Sequence, residues 1–130
     1  MVAKIRQHRI AIRIREEVSE MLVGELTDPR LAGITITDVS VDRELAYATI
    51  FVSSYLDGSE RKDEILTGLH SARGYIRYQL SQRIELRSFP QLRFKWDPTP
   101  ERAERIEKLI DALASEKTQN EESVSENDNA

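Results

Sequence analysis

The sequence predicts an α+β domain in which helices cover one face of a three-stranded sheet, and three observations carry that prediction. Apolar residues recur at three- and four-residue intervals from position 10 to 26, a helical period. Two alternating runs, 34–41 and 45–54, are separated only by Asp42-Arg43-Glu44, so they read as a strand pair joined by a turn. A second helical run, 62–84, leads into one more alternating stretch at 91–96.

The first helix is expected from about Ala3 to Leu26, with Ile10, Ile14, Val18, Met21, Leu22 and Leu26 on one buried stripe. Thr27-Asp28-Pro29 stops it, because the proline ring disfavours helical geometry at Asp28. Beyond Gly33, Ile34, Ile36, Val39 and Val41 interleave with Thr35, Thr37 and Ser40, the pattern of a half-buried strand. Leu45 to Ser54 is rich in aromatic and β-branched residues, which suits a second strand, and Tyr55–Ser59 is a loop containing Asp57-Gly58.

From about Glu60 to Ile84 the spacing is again helical, yet Gly74 falls in the centre of the run. Glycine inside a helix costs about 1 kcal/mol relative to alanine, so a kink or a close backbone approach is expected there. If a helix starts afresh at Gly74, its free N–H groups and positive dipole end suit an anion. The strand Gln91–Trp96 places Leu92, Phe94 and Trp96 on an apolar face and Arg93 and Lys95 on the other. Thr99 can cap a last helix, with Pro100 at its first position and an apolar stripe at Ile106, Leu109, Ile110 and Leu113. Ser115–Ala130 is polar and acidic, with Val124 its only large aliphatic residue, and reads as disordered. The element order is α-β-β-α-kink-α-β with a C-terminal helix, giving a folded region 1–114 and an acidic tail 115–130.

Composition narrows the function. The chain has 130 residues, no cysteine and a net charge of −4. Disulfide frameworks, thiolate metal sites and cysteine nucleophiles are therefore excluded. No apolar run approaches the roughly 18–20 residues that span a bilayer, and the arginine-interrupted N-terminus is not a secretory signal. The two histidines, His8 and His70, stand alone, and no nucleotide-binding, metalloprotease or serine-hydrolase motif occurs, so no catalytic residue, metal or cofactor is expected. The net charge hides an asymmetry. Residues 1–15 carry five basic residues and no acid, residues 73–95 carry six against Glu85, and residues 115–130 carry five acids against Lys117. Basic faces on the folded part point to phosphate.

Several pieces resemble the bacterial ribosome-binding factor A (RbfA) family. They are the basic first helix, Leu26-Thr27-Asp28-Pro29-Arg30-Leu31, Thr37-Asp38-Val39, Asp42-Arg43-Glu44-Leu45-Ala46-Tyr47-Ala48, Ala72-Arg73-Gly74-Tyr75-Ile76-Arg77, Pro90-Gln91-Leu92-Arg93-Phe94, and Glu101-Arg102 with Arg105-Ile106. The resemblance implies a type-II KH-like fold whose Ala-x-Gly kink stands where other KH domains have a GxxG loop. It also implies a cytoplasmic factor that is not an enzyme. Such a factor binds the free small (30S) ribosomal subunit and its 16S rRNA late in maturation, with roles in 5′-end processing and growth in the cold, and is released by the GTPase RsgA. A monomer is expected, since no surplus apolar stripe requires a dimer.

The candidate RNA contacts are Arg6, Arg9 and Arg13, which share one face of the first helix, and Ala72, Arg73, Gly74, Arg77 and Arg83 around the kink. Lys4, Arg43, Arg87, Arg93 and Lys95 form a second rank. Arg73 departs from the alanine or serine usual in that kink, and two readings stay open: an added phosphate contact, or a packing kink with a solvated middle residue. The alternative function is a protein-interaction adaptor acting through the C-terminal helix or tail.

Overall fold

In the computed structural model, which describes the backbone of residues 2–128 and the side chains of residues 4–120, the first helical stripe becomes α1 (Val2–Gly24). Ile10, Ile14, Val18 and Met21 point into the core. The chain then makes a single 3-10 turn, Pro29–Leu31, which the sequence did not announce as an element. Asp28 caps it, its Oδ1 accepting from the Arg30 N–H at 2.9 Å, and Leu31 enters the core.

Strand β1 (Ile34–Val41) pairs antiparallel with β2 (Tyr47–Ser54). A register shift between Ile36 and Asp38 leaves Thr37 as an extra residue, so Ile36, Val39 and Val41 all reach the core despite their uneven spacing. β2 begins two residues later than its composition suggested, because the turn runs on to Ala46. Asp42 organises it: Oδ1 accepts from the N–H of Ala46 at 2.7 Å and of Tyr47 at 3.1 Å, and the Leu45 N–H donates to the Asp42 carbonyl at 3.0 Å. Leu45 is held at φ 57°, left-handed backbone that leucine adopts only when its surroundings impose it, and its side chain packs against the core.

A 3-10 turn, Gly58–Arg61, leads into α2 (Lys62–Arg83), and β3 (Gln91–Trp96) then joins β2 in parallel. The sheet order is β1-β2-β3, mixed, with α1 and α2 on one face. The α+β class and the three strands match the sequence expectation. The two helices expected either side of Ala72-Arg73-Gly74, however, are one continuous helix. Leu69, Ile76 and Leu80 form an unbroken buried stripe across the glycine, and that packing outweighs a helix-propensity cost of about 1 kcal/mol. The N–H groups near Gly74 are therefore not free helix ends.

The glycine that packing requires in α2 is Gly68. A methyl group there would stand 3.1 Å from Leu31 Cδ2 and 3.2 Å from Arg30 Cβ, whereas one at Gly74 would meet nothing within 4 Å. Gly68 lets α2 pass close over the Pro29–Leu31 turn.

The segment from Pro98 forms a separate compact unit. It is a single helix, α3 (Thr99–Asp128), braced by ion pairs Arg105–Glu101 at 3.0 Å and Lys108–Glu104 at 3.1 Å. Ile106, Leu109, Ile110 and Leu113 are exposed on it. The segment from Ser115, expected to be disordered, is helical as far as Asp128. It holds no glycine or proline over that length and is rich in Glu, which extends a helix readily. Asn129 and Ala130 lie outside the described residues.

The two glycines of α2 are expected to respond oppositely to alanine. Gly74→Ala should raise stability by up to about 1 kcal/mol, a gain in Tm of several degrees. Gly68→Ala should lower Tm, because buried Leu31 and salt-bridged Arg30 have no room to give. Thermal melts of both variants check this, and a Gly68→Ala variant as stable as Gly74→Ala would refute the close approach.

Candidate nucleic-acid interface

The basic residues divide by what their charges already touch. Four are tied into the fold. Arg61 donates to the carbonyls of Arg30 at 2.9 Å, Ala32 at 3.1 Å and Pro29 at 3.3 Å, and also meets the Asp57 carboxylate at 3.3 Å. Arg77 donates from Nη2 to the Phe89 carbonyl at 2.7 Å and from Nε to the Pro90 carbonyl at 3.1 Å, fastening α2 to the segment that enters β3. Arg83 pairs with Glu17 at 3.2 Å and with Glu25, joining α2 to α1. Arg30 grips Asp28, with Nη2–Oδ2 at 2.7 Å. Arg13 is intermediate: half-exposed, it donates to the Arg83 carbonyl at 3.1 Å and stands 3.5 Å from Glu17.

Arg77 and Arg83, singled out with the kink, thus serve the fold's own carbonyls and carboxylates. Sequence spacing could not separate Arg77 from Arg73, which stands one helical turn earlier. Arg73 is exposed and has no hydrogen bond or ion pair among the described residues. Ala72 is half-buried against the core, and Gly74 is exposed with open space beside it. Tyr75, 46% exposed, donates its hydroxyl to Glu25 at 3.2 Å. That bond sets the Ala72-Arg73-Gly74 segment beside the C-terminal end of α1.

Arg6 and Arg9 are exposed and unpaired among the described residues, at the other end of the same helix. Sixteen residues separate Arg9 from Glu25, about 24 Å at 1.5 Å per residue. The candidates taken together in the sequence therefore form two cationic points separated by the acidic middle of α1. Lys4, Arg43 and Arg87 are also exposed, and Arg93 and Lys95 stand on the sheet face turned away from the core. Arg93 lies over the Tyr47 ring with its guanidinium carbon 3.5 Å from the centroid. Tyr47 is not a candidate contact in the sequence, where it appears only within a family motif, since its place beside β3 depends on the parallel register.

Hydrogen bonds explain the perturbed titrations. The bond from Arg83 holds the Glu25 carboxyl below the ordinary carboxylate range, and the bonds from Arg30 do the same for Asp28. The Tyr75 hydroxyl is pushed up by desolvation and by its bond to Glu25. None of these groups is poised for chemistry near neutral pH, and among the described residues no cluster of three or more His, Asp or Glu could hold a metal. No described helix is long and apolar enough to cross a membrane.

A mixed sheet in the order β1-β2-β3 with α1 and α2 on one face is the α+β arrangement of a type-II KH-like domain. The family model for ribosome-binding factor A matches residues 6–110, and the chain belongs to that family. A ribosome-binding factor A from Aromatoleum aromaticum is 41% identical over 108 residues, covering 83% of this chain and 84% of the relative. The solution structure of a candidate ribosome-binding factor A from Thermotoga maritima superposes with a TM-score of 0.62 at 27% identity, covering 69% of this chain and 85% of that one. A homology model of the Thermus thermophilus ribosome-binding factor A, as fitted into the cryo-EM map of a 30S complex, gives a TM-score of 0.53 at 23% identity, with coverage of 65% and 87%.

Because Glu25 and Asp28 are depressed in the folded state, they stabilise it above about pH 4–5 and lose that contribution as pH falls through their folded values. The urea midpoint should therefore drop between pH 5 and 3, and drop less steeply in Glu25→Gln, which is already less stable at neutral pH. Parallel pH profiles for wild type and variant would contradict the assignment.

Proposed function

We propose that this protein is a ribosome-assembly factor that binds the free small subunit and its 16S rRNA late in maturation. Family membership supports the class of partner, as does the Thermus thermophilus relative fitted into a 30S complex. The observation that carries the RNA contact is Arg73. It stands exposed and unpaired beside a glycine with nothing around it, while Arg77 one turn on is fastened to the fold. A mid-helix glycine with open space costs stability and contributes no packing, so its use is to let a phosphate backbone come close. Arg6 and Arg9 supply the second anchor, about 24 Å or more along α1. Two anchors that far apart suit a structured rRNA surface better than a clamp on a few nucleotides.

The mechanism is occupancy without catalysis. Cations held on a rigid frame neutralise phosphates and release counterions, which favours one arrangement of the maturing rRNA until the protein leaves. Roles in 5′-end processing of 16S rRNA and in the cold, release by the GTPase RsgA, a monomeric state and a cytoplasmic location belong to this proposal. All but the monomeric state, which is a reading of the apolar pattern, follow from the family resemblance.

Co-sedimentation with purified small subunits across a salt series tests the reading. Arg73→Glu and Arg9→Glu should each weaken binding by at least tenfold without lowering Tm. Each should also flatten the log–log salt dependence by about 0.7–0.9 for every phosphate no longer neutralised. Arg77→Gln should instead cost about 1–3 kcal/mol of stability, because it leaves two half-buried carbonyls without donors. Unchanged subunit binding by folded Arg73→Glu and Arg9→Glu variants would refute the proposal.

A further inference from the structure

The two faces of the sheet differ in kind. One sends Ala48, Ile50, Val52, Leu92 and Phe94 into the core. On the other, the parallel register sets Tyr47 beside Gln91, Thr49 beside Arg93 and Phe51 beside Lys95. Arg93 leans back along β3, so that its guanidinium carbon comes 3.5 Å from the centre of the Tyr47 ring, and the ring stays 41% exposed.

Stacking of this kind fixes the plane of the guanidinium without using its N–H donors, which radiate from the edge of the plane. Neither Arg93 nor Lys95 has an ion pair or a side-chain hydrogen bond among the described residues, and β3 carries no acid. The carboxylate on the neighbouring strand β1, Asp38 opposite Phe51, accepts from the Val39 N–H at 2.9 Å. Asp97, at the end of β3, accepts from Thr37 Oγ1 at 2.7 Å. The local acids are thus engaged, while the two cations and the aromatic face are open.

Single-stranded nucleic acid needs this combination: planar groups on which a base can stack and cations spaced along the backbone. Arg93 and Lys95 are two residues apart on one strand face, about 7 Å, so both lie within reach of one short segment. We infer that this outward face of β2 and β3 is a second RNA contact. It takes a single-stranded stretch, with a base against the Arg93–Tyr47 pair and phosphates on Arg93 and Lys95. The inference rests on the rRNA-binding reading above but concerns a face of the domain that neither Arg73 nor the first helix occupies.

The test uses the full chain, purified small subunits and a fluorescein-labelled oligouridine dodecamer, with thermal melts to confirm folding. Arg93→Gln is expected to weaken both interactions by at least about fivefold, the loss typical of one stacked base. It should also flatten the log–log salt slope by about 0.7, the value for one phosphate of a single strand. Arg93→Lys should restore the salt dependence but not the affinity, since a lysine keeps the charge and loses the plane. Lys95→Gln, at an exposed position, should flatten the slope in the same way. A folded Arg93→Gln/Lys95→Gln double variant that binds subunits and oligouridine as wild type does would overturn the inference. If Arg73→Glu still weakens subunit binding in that case, the assembly-factor reading survives. If Arg73→Glu and Arg9→Glu also bind normally, both readings fall. Loss of subunit binding with no oligouridine binding by wild type and no change in salt slope would mark a protein interface, and would likewise overturn the inference.

Discussion

Helix α2 organises residues 2–97 because arginines fasten it at both ends to groups that other elements leave open. Arg61 closes over the carbonyls of Pro29 and Arg30 in the 3-10 turn and of Ala32 just after it, Arg77 over two carbonyls before β3, and Arg83 over the carboxylates of Glu17 in α1 and of Glu25 just past its end. A guanidinium suits this work. It stays charged, its fork of donors reaches several acceptors at once, and its stem packs along apolar surface. Carbonyls at turns and strand entries need donors, and here Arg61, at the threshold of α2, and Arg77, within it, provide them.

That arrangement also sorts the charge. The sequence shows clusters of basic residues, but in the structure each cluster contains both fastened and open members. Open members are spread out and include the N-terminal turns of α1, Arg43, Arg73 beside its glycine, Arg87 and the outward side of β3. In the proposed role, the anchors on the helices, held far apart on a rigid frame, suit a surface whose phosphates are equally far apart, as on a folded RNA.

Much of the fold was legible because period and composition agree. The stripe Ile10, Ile14, Val18, Met21 is buried as its spacing requires, and β1 and β3 begin and end where alternation does. The misreadings arose where a residue's role depends on a distant neighbour. Gly68 looks unremarkable until Leu31 is placed against it. Leu45 reads as the first residue of a strand until Asp42 draws the turn around it. Arg73 and Arg77 are one turn apart and chemically identical, and only the path of residues 89–90 tells them apart. The glycine chosen from the sequence, Gly74, is indeed unusual, but for its openness and not for breaking the helix.

The parallel pairing of β2 with β3 has a consequence for how the chain assembles. β1 and β2 are joined by a short turn and can pair as soon as both exist, a local event on the microsecond scale. β3 can join only after the intervening helix has formed and packed, so until then β2 presents a bare edge of unpaired N–H and C=O groups. During synthesis that edge stays open while roughly forty further residues are added, a matter of several seconds at ordinary elongation rates. The outward face of β3, with its stacked arginine, is thus among the last surfaces of the domain to exist.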